Sequence, residues 1–362
     1  MAAGARAAEV RFDRFRFGLK RRFGLLDPFE VLPYRGYGTP RELLLKGRVL
    51  EVSGITHSGQ EDTVLRNLRN MARRFASDEV AGARVRATFE GIQVEVVADE
   101  EGFFELRLEP GEPLANETVW HPVELELVSP ASPGGGVVRS TGRVLIPGGA
   151  RIGVISDLDD TVVRSSATNV LKMAWVVLLN NAHTRLPFEG VSAFYDALQR
   201  GADGRAYNPI FYVSSSPWNI YDMLEDFLDV HGVPAGPLFL KDWSLSVLGK
   251  HRDHKLGIIR RLLRTYPELP FVLIGDSGEE DPEIYSQAVR EHPGRVRAIY
   301  IRDVTSASRD AEVRTIAEEV RGLGTEMVLA PDTTFAAEHA ASIGLIAPDT
   351  VPGIRARSSA AG

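Results

Sequence analysis

The sequence predicts an α/β domain with a mainly parallel sheet, preceded by a small antiparallel β-sandwich. Three observations carry that expectation. Between residues 41 and 148 apolar residues alternate with period two between Gly- and Pro-rich turns. Beyond residue 149 short, wholly apolar runs alternate with helical stretches, the pattern of a parallel sheet covered on both faces. The loop Pro147-Gly148-Gly149 separates the two patterns. A length of 362 residues, at roughly 100–200 residues per domain, accommodates two to three domains.

In chain order, residues 1–40 form a basic, aromatic N-terminal arm. It carries eight basic residues against four acidic ones, with Phe12, Phe15, Phe17, Leu19 and Phe23 interleaved. Such a mixture can lie on anionic lipid, rings in the interface and cations on phosphates, or pack on a domain flank. The sandwich, residues 41–148, holds expected strands at Leu43 to Val52, Arg84 to Phe89, Gln93 to Val97, Phe103 to Leu108, His121 to Val128 and Arg139 to Leu145. One inserted helix is expected near Asp62 to Phe75, where Val64, Leu65, Leu68, Met71, Ala72 and Phe75 share a stripe. The α/β domain spans 149–350. Its expected strands start at Ile152, Ile210, Pro237, Phe271, Val296 and Glu326, with helices at Val191 to Gln199, Ile220 to His231, Leu256 to Thr265, Glu283 to His292 and Ala311 to Gly322. The tail, 351–362, is expected to be disordered.

Composition narrows the function classes. Lys and Arg number 42 against 49 Asp and Glu, a net charge of -7, so the chain lacks the basic excess of a dedicated nucleic-acid binder and no nucleic acid is expected. The absence of cysteine removes disulfides, thiolate catalysis and Cys-ligated metals, leaving an oxygen-ligated cation open. The first ten residues have no apolar signal-peptide core, and the longest apolar stretch, Met173 to Leu179, falls far below the roughly 18 residues a bilayer requires. A cytoplasmic location is therefore expected, with the arm as a route to peripheral contact at the inner membrane face.

In an open parallel sheet, ligands sit outside the carboxyl ends of the strands. The first strand of the α/β domain runs out in Ser156-Asp157-Leu158-Asp159-Asp160-Thr161, three carboxylates within four residues. Such crowding repels unless a cation is present, and a hard divalent ion such as Mg2+ accepts carboxylate and carbonyl oxygens. Asp157 could attack phosphorus and Asp159 handle the proton of a leaving group or water; alone, the cluster equally suits a turn or helix cap. The second strand ends in Ser214-Ser215-Ser216-Pro217, hydroxyls suited to phosphate oxygens or to capping. The fourth ends in Gly275-Asp276-Ser277-Gly278-Glu279-Glu280-Asp281, where Asp276 supplies a further oxygen ligand and Asp281 could orient the metal shell or cap a helix. Lys255, near the start of the preceding helix, could reach a bound phosphoryl group. Together these groups describe phosphoryl transfer: nucleophile, phosphate ligands, charge clamp and Mg2+ seat.

The same residues carry a family resemblance. DLDDT at 157–161, Ser214, Lys255 and GDSGEED at 275–281 resemble the four motifs of haloacid-dehalogenase-superfamily phosphohydrolases. SDLDDTVVRS, PFEGV, VSSSPWNIYD, FLKDW, HKLGII and GDSGEEDPEIY further resemble the catalytic domain of the actin-patch-protein type of phosphatidate phosphatase, over roughly 150–345. The resemblance implies a haloacid-dehalogenase-like Rossmannoid fold and a Mg2+-dependent phosphatase. In it Asp157 is the nucleophile and Asp159 the general acid/base, with Thr161, Ser214, Ser215 and Lys255 on the phosphoryl group. Asp157, Asp159 through its carbonyl and Asp276 hold Mg2+, with Asp281 behind them. The implied substrate is phosphatidate or a related lipid phosphate, giving diacylglycerol; a soluble phosphomonoester and a non-catalytic membrane- or partner-binding module are the alternatives. The apolar stretch Asn169 to Asn181 could form a lip for acyl chains or pack as ordinary core.

Overall fold

The computed structural model describes residues 26–51, 78–115, 118–133, 135–158, 190–241, 251–305 and 307–359. The chain divides into two compact units, Met1–Ile146 and Pro147–Gly362. The helix expected at 62–75, the first 25 residues of the arm and the apolar stretch 169–181 lie outside the described residues.

The described residues of the first unit form one nine-stranded sheet: β1 (Phe29–Pro33), β2 (Gly36–Thr39), β3 (Glu42–Glu51), β4 (Asp78–Glu79), β5 (Arg84–Phe89), β6 (Ile92–Val97), β7 (Phe103–Leu108), β8 (Trp120–Ser129) and β9 (Arg139–Leu145). Its main path runs β1-β3-β2-β9-β8-β5-β6, with β4 and β7 also on β3. The ten-residue β3 links them, pairing β1 and β2 along one edge and β7 and β4 along the other. Pairing is antiparallel except between β2 and β9, so a single mixed sheet stands in place of the two purely antiparallel sheets expected. Period-two alternation sends Leu43, Leu45, Val85, Ala87, Leu106, Leu108, Val123 and Leu125 into one core. Each of the leucines and valines among them contributes about 1.5–3 kcal/mol of transfer free energy on burial.

The arm expected at 1–40 is corrected over its last third, where β1 and β2 belong to this sheet. Phe29, Val31 and Tyr37 are buried there. Gly38 is required: a Cβ on it would lie 2.1 Å from the Glu42 carbonyl oxygen in the tight β2–β3 turn.

Among the described residues the second unit holds six parallel strands: β10 (Gly153–Asp157), β11 (Ile210–Pro217), β12 (Leu238–Lys241), β13 (Phe271–Asp276), β14 (Val296–Arg302) and β15 (Glu326–Ala330). Their order is β12-β11-β10-β13-β14-β15. The chain thus builds outward from β10 in one direction, then crosses back and builds outward from β13 in the other. That reversal makes the β10/β13 junction a topological switch point, where a crevice opens beyond the strands' carboxyl ends. The strands are buried on both faces, as their unbroken apolar runs dictate.

The helices are α1 (Val191–Arg200), α2 (Tyr221–Val230), α3 (His251–Thr265), α4 (Asp281–Glu291), α5 (Ala307–Gly322), α6 (Thr333–Ser342) and α7 (Val351–Ser359). Helix α4 packs against α3 and α5, while α7 packs on α1 and α6. Helix α7 corrects the expectation of a disordered tail: the proline-initiated turn is anchored by Ile354, only 1% exposed. Ser156 in β10 and Tyr195 in α1 share a buried hydrogen bond of 2.6 Å that fixes the strand beside its helix.

Candidate active site

Every strand that bears on the site carries polar residues toward the same edge. Asp157 closes β10 and is in Cα register with Val213 of β11, so Ser214 stands one residue further along the neighbouring strand. On the other side Ser156 registers with Ile274, placing Gly275 and Asp276 at the end of β13. Residues 119 apart in sequence, Asp157 and Asp276, therefore flank the switch point. The sequence positions of the strand ends set this arrangement; the parallel topology then brings the ends together.

Lys255 organises the carboxylates. It lies in the first turns of α3, 2% exposed, and its ammonium stands 2.7 Å from Asp157 Oδ1, 3.0 Å from Asp281 Oδ1 and 2.6 Å from Glu279 Oε2. An ammonium has three N–H donors, so each carboxylate matches one. Asp157 and Asp281 are buried at the side-chain level, whereas Glu279 is about one-third exposed. Removing such charges from water is costly, and their mutual pairing offsets the cost only in part.

Asp281 sits in the first turn of α4, with Glu280 in the cap position before it and Pro282 pre-setting the backbone after it. Its side chain does not cap the helix. Oδ2 instead accepts the backbone N–H of Asp276 at 3.2 Å, tying the helix to the end of β13. Burial pushes its carboxyl up to about 7, a rise that Lys255 opposes and that Asp276 and Glu279 reinforce. Gly275 is what admits this carboxylate: a Cβ there would lie 2.3 Å from Asp281 Oδ2. Asp276 Oδ1 accepts the N–H groups of Gly278 and Glu279 at 2.6 and 3.1 Å, which wraps loop 277–280 around it. Tyr285 in α4 donates to the Ile274 carbonyl at 2.9 Å, and burial raises its hydroxyl well above the usual range.

Asp157, Asp276 and Asp281 each offer an oxygen, and the three lie within 4.8 Å of one another. This all-oxygen, carboxylate donor set fits a hard divalent cation and suits soft metals poorly. The structure thus brings together four of the sequence-predicted residues: Asp157, Lys255, Asp276 and Asp281. Asp281, expected behind the ligands, offers an oxygen within the same 4.8 Å.

Ser214 lies fully buried in β11, and its hydroxyl accepts the Ser216 N–H at 2.9 Å. A register shift between Val213 and Pro217 loosens the ladder here, with Ser215 half-buried at the edge. Asp159 and Thr161 lie outside the described residues. Sequence reasoning missed the Glu279 contact, although its signal was present as an extra acid within the GDSGEED run. Beside Asp157 and Asp276 a cavity of about 60 Å³ opens toward α1 and α6, lined also by Tyr195, Tyr300 and Arg302. Nothing in the sequence spacing marked those three.

Comparison with known proteins gives the same stretch a relationship. Residues 152–303 match the family described as the catalytic domain of phosphatidate phosphatase APP1. Over 163 residues the chain is 31% identical to phosphatidate phosphatase APP1 of Saccharomyces cerevisiae, and over 160 residues 28% identical to an uncharacterized protein of Schizosaccharomyces pombe. These alignments take in 44% and 43% of this chain but only 27% and 26% of the relatives, so it spans about a quarter of their length. A crystal structure of a carbohydrate acetylesterase from Xanthomonas citri aligns at 11% identity with a TM-score of 0.30, covering 90% of this chain and 71% of that one. That score is too low to bear on fold or function. Among the described residues no helix is long and apolar enough to cross a membrane. Over residues 152–303, the chain is similar to the catalytic domain of phosphatidate phosphatase APP1.

Proposed function

We propose that this chain is a Mg2+-dependent phosphatidate phosphatase with a haloacid-dehalogenase-like domain, working through an aspartyl-phosphate and releasing diacylglycerol and phosphate. The observation that carries the reading is the buried Lys255 shared by Asp157, Asp281 and Glu279 at the sheet's switch point. Charge removed from water at this cost, at the mouth of a switch-point crevice, points to a functional site.

In this reading an Asp157 oxygen attacks phosphorus, and the bond from phosphorus to the glycerol oxygen breaks. Asp159 protonates the departing oxygen to give diacylglycerol. Water, deprotonated by Asp159, then attacks phosphorus, the acyl-phosphate P–O bond breaks, and inorganic phosphate leaves with Asp157 restored. Asp157, Asp276 and Asp281, with the Asp159 carbonyl, would hold Mg2+, which supplies charge neutralisation at the phosphoryl oxygens. Lys255, Thr161, Ser214 and Ser215 bind those oxygens. Glu279 is the most exposed partner of Lys255 and the one a phosphoryl oxygen displaces most readily. The basic, aromatic residues 1–25 bring the enzyme to the cytoplasmic membrane face as a peripheral protein.

The test is phosphate release from phosphatidate in mixed micelles, with and without Mg2+, beside Asp157→Asn and a soluble aryl phosphate. Mg2+-dependent release from the lipid that the variant lacks is the expected result. Release from the aryl ester alone would keep the mechanism and remove the lipid, and no release from either would remove the enzyme reading.

A further inference from the structure

We infer that Arg309, which lies beyond the stretch matching the family, is the positioning residue that shapes the metal seat from outside it. The inference rests on the metal reading above. Two of the three clustered carboxylates owe their places to local backbone. Asp276 is held by the N–H groups of Gly278 and Glu279, and Asp281 by its position in the first turn of α4. One guanidinium grips the backbone of the loop directly and the first turn of α4 through the Glu283 side chain.

Arg309 projects from the first turn of α5. Its Nε donates to the Ser277 carbonyl at 3.1 Å and its Nη2 to the Glu279 carbonyl at 3.0 Å, one on either side of Gly278. Nη1 and Nη2 also form a fork on Glu283 of α4, at 2.7 and 2.9 Å, two residues after Asp281. The remaining donor reaches Glu312 at 3.0 Å. A guanidinium has five N–H donors in a rigid plane, and here five bonds use them. The neighbouring segment adds to the grip: Ser277 Oγ accepts the Val304 N–H at 3.0 Å and shares a hydrogen bond of 2.9 Å with Thr305.

The geometry explains why the residue is arginine. Holding two carbonyls of a four-residue loop and a carboxylate of the next helix takes a planar fork; an ammonium reaches at most three acceptors with no fixed plane. With its side chain 22% exposed, the clasp is more shielded than an ordinary surface ion pair. Groups that orient metal ligands from behind typically change metal affinity by 10- to 100-fold when altered.

A tether between α4 and α5 is the competing account, and Arg290 provides its control. Arg290 of α4 pairs with Glu319 of α5 at 2.8 Å, far from the loop and about half exposed. The experiment titrates Mn2+ into the full chain, following free Mn2+ by electron paramagnetic resonance, with thermal melting on the same samples. Arg309→Lys is expected to raise the Mn2+ Kd by about 10-fold or more, while Arg290→Gln leaves it within twofold of the parent. An Arg309→Lys Kd within twofold of the parent overturns the inference, whatever its melting temperature. A parent protein that binds no Mn2+ removes the metal reading and the inference with it, so the two failures are distinct. Should Arg309→Lys fail to fold, Glu283→Gln, which removes one charge of the fork and leaves the carbonyl contacts, is expected to weaken Mn2+ several-fold; an unchanged Kd there counts equally against the proposal.

Discussion

Two places in the molecule, the outer face of the first unit's β5, β6, β8 and β9 and the carboxyl edge of the second unit's sheet, handle charge in opposite ways. On the first, charges stand on the outer face of the sheet and pair across strands: Arg84 and Arg86 with Glu95, Arg86 and Arg139 with Glu126. These pairs stay in water, pair at little cost and contribute little. They also give the β6 edge a charged, aggregation-resistant face. On the second, Asp157, Lys255 and Asp281 are removed from water, where unpaired charge costs several kcal/mol. The difference teaches that charge on the outer face of the first unit's sheet serves its surface, whereas charge at the β10/β13 junction is removed from water at a cost to the fold.

Substitutions should widen or collapse that contrast. The largest effect is expected from Asp157→Asn: turnover falls by at least about 10³-fold while far-ultraviolet circular dichroism is unchanged, and residual activity above a tenth of the parent's would discard the nucleophile assignment. Next comes Lys255→Met, which strands the acids. Denaturant unfolding without metal should show a loss of about 3–5 kcal/mol. Part of that loss should return on adding Mg2+, which binds only the folded state.

Asp281→Asn should act in the reverse sense. Its carboxyl is raised from an ordinary 3.8 to about 7, chiefly by burial, so the folded chain holds this proton more tightly than the unfolded one. The contribution to stability is therefore full below about pH 4 and is lost as pH rises toward 7. Metal-free melting at pH 5 and pH 8 should show a steeper fall for the parent than for the variant, by up to about 1 kcal/mol per pH unit crossed. Parallel curves would contradict the assignment. The smallest effect belongs to the first unit: Glu95→Gln should shift Tm by about 1 °C or less, and added salt should erase even that. A larger, salt-resistant shift would mean the outer ladder matters more than its exposure implies.

Much of the second unit was legible because its strands are continuous apolar runs that stop at polar residues. The expected strands began within a residue of β10 to β15, and Asp157, Lys255, Asp276 and Asp281 stand together at the carboxyl edge of that sheet. What escaped has physical reasons. Helix α6 packs through Ala336, Ala337 and Ala340, small residues that leave no large apolar stripe to detect. Helix α7 has a single buried anchor, Ile354, after Pro352 and Gly353. β1 and β2 are rich in Pro, Gly and Tyr and follow a basic segment, so their strand character shows only in pairing with β3 and β9. In the site, the Lys255 contact to Glu279 and the Arg309 clasp depend on which helix faces which loop, information that spacing along the chain does not hold.

The contact between Gly275 and Asp281 has an evolutionary reading. The carboxylate occupies the space a Cβ at 275 would need, so no other residue fits while the acid is present. The two positions form a one-way lock: the acid can be lost first, releasing the glycine, but the glycine cannot be replaced first without displacing the acid. In a survey of related chains, alanine or serine at the position of Gly275 would therefore date the loss of the acid and flag a domain that has left this chemistry, even where DLDDT remains intact.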